Sequence, residues 1–147
     1  PYRWRVTGRL GSTDSVTRES PATFVIADTD APLATLLYPS FPNPFPTASA
    51  QSACIWFDLH QPALVTLDVF DIRGRRVRRL IPGEGVGSTL RAGRYGRESE
   101  WSDSGCDPRL AWDGLGEDGR SVPAGVYLVR MRAGEQELVK KILFRGR

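Results

Sequence analysis

Histidine is nearly absent, with His60 the only one in 147 residues. A catalytic dyad would need it beside Cys54, Cys106 or an activated serine, and no Gly-x-Ser-x-Gly or comparable nucleophile motif occurs. One histidine and two distant cysteines give no zinc spacing, and no Cys-x-x-Cys-His is present for haem. No apolar run approaches the roughly 20 residues of a helical membrane span. The first residues, Pro1-Tyr2-Arg3-Trp4, lack both an initiator Met and the apolar core of a signal peptide, so the chain is expected to be a mature or proteolysed piece of something longer. These shortages leave no catalytic, cofactor-binding or metal-binding residues to assign. An enzyme is not expected.

Glycine and proline are plentiful, at 15 and 11 residues, and they punctuate short apolar runs. That pattern favours an all-β, antiparallel sandwich over a helical protein. Hydrophobic residues make 40% of the chain and charged ones 25%, an ordinary globular balance with enough apolar mass for one sizeable core. Net charge is +3, almost all the cations being arginine; this hints at an anionic partner without naming one. An even cysteine count in a Gly/Pro-rich β protein leans towards an oxidising compartment.

Residues 1–27 read as a strand hairpin. Tyr2, Trp4 and Val6 alternate with arginines, Gly8 to Ser20 reads as a polar connection, and Thr23-Phe24-Val25-Ile26 reads as the returning strand. The opening resembles the last two strands of a fibronectin type III domain. Its four large apolar side chains, Tyr2, Trp4, Phe24 and Ile26, are expected to be buried against a partner. Residues 28–32 form a polar, proline-ended linker. Between 39 and 46, four prolines exclude helix and central strand, and Phe41 and Phe45 are expected to pack on the end of the sandwich; a proline-motif ligand is the alternative. Cys54–Leu59 alternates with Ile55, Phe57 and Leu59 on one face, and Leu64–Ile72 alternates with Val65, Leu67 and Val69 inward. Arg73-Gly74-Arg75 is a turn into Val77–Leu80. Residues 82–109 read as a long loop with at most a short edge strand. Leu110–Trp112, Val126–Met131 and Leu138–Phe144 supply the last strands, with Ala133-Gly134-Glu135 as the final hairpin turn.

Four ordered motifs carry a family resemblance over residues 33–147. Tyr38 with Pro42-Asn43-Pro44-Phe45 resembles a Tyr-Pro-Asn-Pro-Phe opening, split here by three residues. Val69 to Val77, with Asp71, Gly74 and Arg75, resembles a Val-Tyr-Asp-x-x-Gly-Arg-x-Val hairpin. Trp112-Asp113-Gly114, Gly119 and Val122-Pro123-Ala124-Gly125-Val126-Tyr127 resemble a Trp-Asp-Gly, Gly-x-x-Val-Pro-x-Gly-x-Tyr block. Lys141, with Lys140, Ile142 and Leu143, resembles a terminal Lys-apolar strand. Together they are similar to the Ig-like domain of the flagellar hook-capping protein FlgD and of bacterial type IX secretion C-terminal sorting domains. The resemblance implies a sandwich of about seven strands ending a secreted or cell-surface protein. Its implied role is non-catalytic: sorting, surface anchoring or assembly, through secretion machinery, a preceding domain or neighbouring subunits. A self-associating subunit of an extracellular filament is the alternative. The length of the 82–109 segment and the cysteine pair depart from the family pattern.

Other polar groupings have plainer readings. Asp113, Glu117 and Asp118 do not match a calcium-loop spacing and read as turn residues. Gly83-x-Gly85-x-Gly87 precedes no helical pattern, so it does not suggest a nucleotide site. Arg73, Arg75, Arg76, Arg78 and Arg79 read as a solvated edge hairpin whose charge blocks edge pairing, with docking of anionic surface polysaccharide or lipid headgroups as the alternative. The cluster has no interleaved aromatics for nucleic acid. Cys54 and Cys106 are expected to form a disulfide tethering the long loop, with Trp56 and Trp101 packed near it; two free thiols in a reducing compartment are the alternative.

Overall fold

The computed structural model describes residues 5–10, 14–19, 32–97 and 105–146. The chain divides into two units, Pro1–Asp30 and Ala31–Arg147. In the first, β1 (Arg5–Leu10) pairs antiparallel with β2 (Asp14–Glu19), from Arg5 opposite Glu19 to Leu10 opposite Asp14. This corrects the expected hairpin, because most of the stretch read as a polar connection is itself ladder. Polarity misled the reading there: Thr7, Val16 and Thr17 are β-branched strand formers set among charged neighbours. The expected returning strand, with Phe24 and Ile26, and the aromatics Tyr2 and Trp4 lie outside the described residues.

The second unit is all-β. In chain order its strands are β3 (Leu36–Leu37), β4 (Ala53–Cys54), β5 (Phe57–Leu59), β6 (Ala63–Asp71), β7 (Arg76–Ile81), β8 (Thr89–Leu90), β9 (Gly93–Tyr95), β10 (Ala111–Trp112), β11 (Gly125–Ala133) and β12 (Gln136–Phe144). A large antiparallel sheet runs β12-β11-β6-β7, with β8 joined to the start of β6. A smaller one runs β3-β5-β9, and β10 pairs with β4. The single strand expected over Cys54–Leu59 is broken, because its two ends take different partners: β4 meets β10, and β5 meets β3 and β9. Between them the Ile55 N–H donates to the Leu110 carbonyl at 2.9 Å.

Alternation decides what is buried. Val65, Leu67 and Val69 on β6, Tyr127, Val129 and Met131 on β11, and Ile142 and Phe144 on β12 share one core with Ile55, Phe57 and Leu59. Ile55, Phe57, Leu59, Val65, Leu67 and Val69 point inward as their sequence parity requires. Of the two phenylalanines in the proline-rich stretch, Phe45 is fully buried but Phe41 is 67% exposed. The expectation for Phe41 is therefore corrected: its N–H and C=O both pair with Cys54, and that pairing leaves its ring in solvent.

The described parts of the long loop, residues 82–97 and 105–109, hold more regular structure than their composition suggests. Within 82–109 the chain adds β8 to β6 and β9 to β5, and closes with a single 3-10 turn, Pro108–Leu110. The Asp107 carboxylate accepts from the Arg109 N–H at 3.0 Å and caps that turn.

Trp112, 1% exposed at the end of β10, is the largest fully buried side chain among the described residues. Replacing it with alanine should cost about 3–5 kcal/mol and unfold the second unit at a much lower denaturant concentration, read by urea titration with circular dichroism. An unchanged midpoint would mean that the ring is dispensable.

Candidate functional site

Part of the motif residues meet at one corner. Trp112 packs edge-on against Phe45 (centroids 5.4 Å apart) and Tyr127 (4.9 Å), with Phe144 at 5.9 Å, an arrangement favoured by the ring quadrupoles. The indole Nε1–H donates to the Leu115 carbonyl at 2.9 Å, so the polar end of the buried ring is satisfied. Asp113 accepts from the Leu115 N–H at 3.1 Å and fixes the turn that brings that carbonyl back. Gly114 has φ +79°, and a Cβ there would collide with the Phe144 ring. The Tyr127 hydroxyl donates to the Pro123 carbonyl at 2.6 Å, pinning the start of β11 to the preceding turn. Burial of this hydroxyl holds its pKa above the ordinary tyrosine value.

Two further motif elements finish the edges of the large sheet. On the β12 side, the Asn43 amide donates to the Lys141 carbonyl at 3.1 Å and accepts from the Leu143 N–H at 2.9 Å. Two residues on, Phe45 N–H donates to Leu143 O and Arg145 N–H to Phe45 O. A segment unable to be a central strand thus covers a strand edge through one amide side chain and one backbone residue. On the β7 side, the Glu117 N–H donates to Val77 O at 2.8 Å, and its carboxylate accepts from the Arg79 N–H at 3.0 Å. Nothing in the sequence marked Glu117 as an edge cap.

The remaining motif residues are local. Asp71 accepts from the N–H groups of Arg75 (2.9 Å) and Arg73 (3.0 Å) and from Arg75 Nε, which holds its carboxyl below the ordinary aspartate value. Gly74 supplies the φ of +80° that this hairpin turn needs, and Gly119 the +73° of the next turn. Gly125 opens β11. Pro42 and Pro44 flank Asn43 in the edge-covering segment. Tyr38 sits apart from the Trp112 corner, donating its hydroxyl to Asp58 at 2.7 Å; that hydrogen bond is the first cause of its raised pKa.

Cys54 and Cys106 form the disulfide, with Cα atoms 5.9 Å apart. It joins β4 to the end of the long segment, where Arg97 and Cys106 make an antiparallel bridge and the Asp107 N–H donates to Gly96 O. Gly96 is itself constrained, at φ +86°, and a Cβ there would strike the Ile55 carbonyl. Trp56, two residues after Cys54, takes the Arg97 guanidinium over its ring at 4.6 Å, while Tyr38 meets the same guanidinium at 4.5 Å. Trp101 lies outside the described residues.

The other groupings make no concerted site. His60 is exposed at the end of β5, its Nδ1 2.7 Å from the Pro32 carbonyl. It borders an open cavity of about 770 Å³ whose one other ionisable side chain is Glu135. Asp113 and Asp118 accept from the backbone N–H groups of Leu115 and Arg120, as turn residues do, whereas Glu117 caps the β7 edge at the Arg79 N–H. The five arginines disperse. Arg75 pairs with Asp71, Arg78 donates to the Gly116 carbonyl, and Arg79 forms a two-point pair with Asp68 at 2.7 and 3.2 Å. Asp68, only 2% exposed, is the buried charge that the sequence reading missed. Register shifts in the β6–β7 ladder let both Arg76 and Arg79, three residues apart, reach it.

Comparison of the chain with protein-family models, with curated proteins and with solved structures returns no match.

Reduction of the disulfide should remove the constraint on the intervening 52-residue separation, worth about 4 kcal/mol in the chain-entropy model. The expected result is a lower urea midpoint for the reduced protein, with intact mass showing two alkylated thiols only after reductant. Equal midpoints would show that the loop is held by its strand pairings alone.

Proposed function

We propose that residues 33–147 form an Ig-like β-sandwich module of a secreted or cell-surface bacterial protein, working without catalysis in sorting, surface anchoring or assembly. Residues 1–27, whose described hairpin runs from Arg5 to Glu19, are then the end of a preceding fibronectin III-like domain, joined by the linker at 28–32. The observation that carries the reading is the convergence around Trp112. Phe45, Gly114, Pro123 and Tyr127, drawn from two of the four resembling motifs, meet there with Phe144, the residue that follows the fourth, in one packed corner. The disulfide is weakly consistent with an extracytoplasmic setting.

The filament alternative requires strand edges that can accept another chain. In residues 33–147, Asn43 caps the Lys141–Leu143 end of β12 and Glu117 the Val77–Arg79 stretch of β7, and the outer strands of the small sheet, β3 and β9, are only two and three residues long. Both features favour a module that docks through faces and loops. The partners would be secretion machinery, the preceding domain or neighbouring subunits.

Fusion of residues 33–147 to a reporter carrying a signal peptide, in a bacterium with type IX secretion, should place the reporter on the surface or in the medium. Trp112→Ala should abolish that delivery by unfolding the module. His60→Ala and Asp118→Ala should leave it intact. Retention of the unsubstituted fusion in the periplasm would overturn the sorting reading, and a hydrolytic activity lost in either of the last two variants would overturn the non-catalytic one.

A further inference from the structure

The outward face of the large sheet collects residues that no single stretch of sequence displays together. Because Tyr127, Val129 and Met131 face the core, Val126, Leu128, Arg130 and Arg132 face away from it. Pairing sets Val126 opposite Leu143, Leu128 between Phe70 and Lys141, and Arg130 between Asp68 and Val139. From β7, Arg79 stands opposite Asp68 and Arg76 opposite Phe70.

Charge on this face is one-sided. Arg76, Arg79, Arg130, Arg132 and Lys141 stand against two carboxylates on the sheet strands, Asp68 and Glu137, with a third, Glu117, at the β7 edge accepting from the Arg79 N–H. Both strand acids are already engaged, Asp68 by Arg79 at 2.7 Å and Glu137 by Arg132 at 2.6 Å. The Arg130 guanidinium lies 4.0 Å over the Phe70 ring, a cation–π contact that holds the charge on this face. Apolar side chains interleave with these cations. Val126 is 37%, Leu143 38% and Val139 45% exposed, and Leu64 at the foot of β6 is 63% exposed. Arginine set among exposed aliphatic and aromatic groups is the composition of a protein interface rather than of a merely solvated face.

We infer that this face docks a protein whose own surface is acidic and partly apolar. A second copy meeting it face to face would bring like charges together, which opposes self-association here. The inference deepens the assembly reading by naming the chemistry of the partner. It rests on that reading only for the premise that the module works through protein contacts.

The test titrates the isotope-labelled full chain with a short peptide of alternating Glu and Val, with polygalacturonate and phosphatidylglycerol vesicles as comparators. Amide shifts should cluster on β11 and β12 around Arg130 and Lys141, and affinity should fall as salt is raised. Combined Arg130→Glu and Lys141→Glu should weaken binding at least about tenfold while amide shifts elsewhere stay in place. Should that variant misfold, Arg130→Gln with Lys141→Gln gives the same reading at smaller amplitude. Four outcomes overturn the inference: no shifts, shifts mapped elsewhere, binding indifferent to these substitutions, or polygalacturonate or vesicles engaging this face where the peptide does not. A dimer formed through this face also overturns it. Export is scored separately, so a module that is sorted but does not bind the peptide sinks this inference alone.

Discussion

The contact between Trp112 and the rings of Phe45, Tyr127 and Phe144 ties the β10 end to the β11–β12 ladder and to the segment bridged onto it at Phe45. Phe45 arrives from a proline-rich segment, Trp112 from a two-residue strand, and Tyr127 and Phe144 from two of the three nine-residue strands of the large sheet. A buried aromatic of this size removes much apolar surface from water, roughly 150–250 Å² per ring, and does so without regard to secondary structure. The indole N–H finds the Leu115 carbonyl, so burial leaves no polar group unpaired there. The turns around it follow from that placement. Gly114 has no side chain because Phe144 fills the space, and the Pro123 carbonyl is held by the Tyr127 hydroxyl.

Seated this way, the loops also finish the sheet. The segment containing Asn43 and Phe45 lies along β12, and the turn containing Glu117 lies along β7. Strands with open edges invite pairing with other chains, and here side-chain groups of Asn43 and Glu117 take the place of a neighbouring strand. The surface left for contact is then the outward face of the large sheet, where the cations and the exposed aliphatic side chains are found.

Alternation made the core legible in the sequence: Ile55, Phe57 and Leu59 and then Val65, Leu67 and Val69 point inward as their parity requires. The disulfide was legible too, because a loop poor in aliphatics needs another tether, and Cys54 and Cys106 supply it. What escaped was set by partners remote in sequence. Asp68 reads as an outward, solvated residue until the irregular β6–β7 register brings two arginines over it. Glu117 reads as one more turn acid until its carboxylate reaches the Arg79 amide, 38 residues away. The basic face was hidden for the same reason, since Arg76 and Arg79 join Arg130, Arg132 and Lys141 only through strand pairing. Phe41 escaped because side-chain hydrophobicity says nothing about which way a backbone pairing turns the ring.

Native-state hydrogen exchange tests most directly whether the Trp112 corner holds the loops to the sheet. The amides of Phe45, Glu117, Val122 and Leu143 lie in or against these loops, and each donates to a group recorded here. If the corner anchors them, they should exchange with the same opening free energy as the amides of Val69 and Val129 in the centre of the large sheet. Exchange of the loop amides through local opening, well below the free energy of those central strands, would contradict the account.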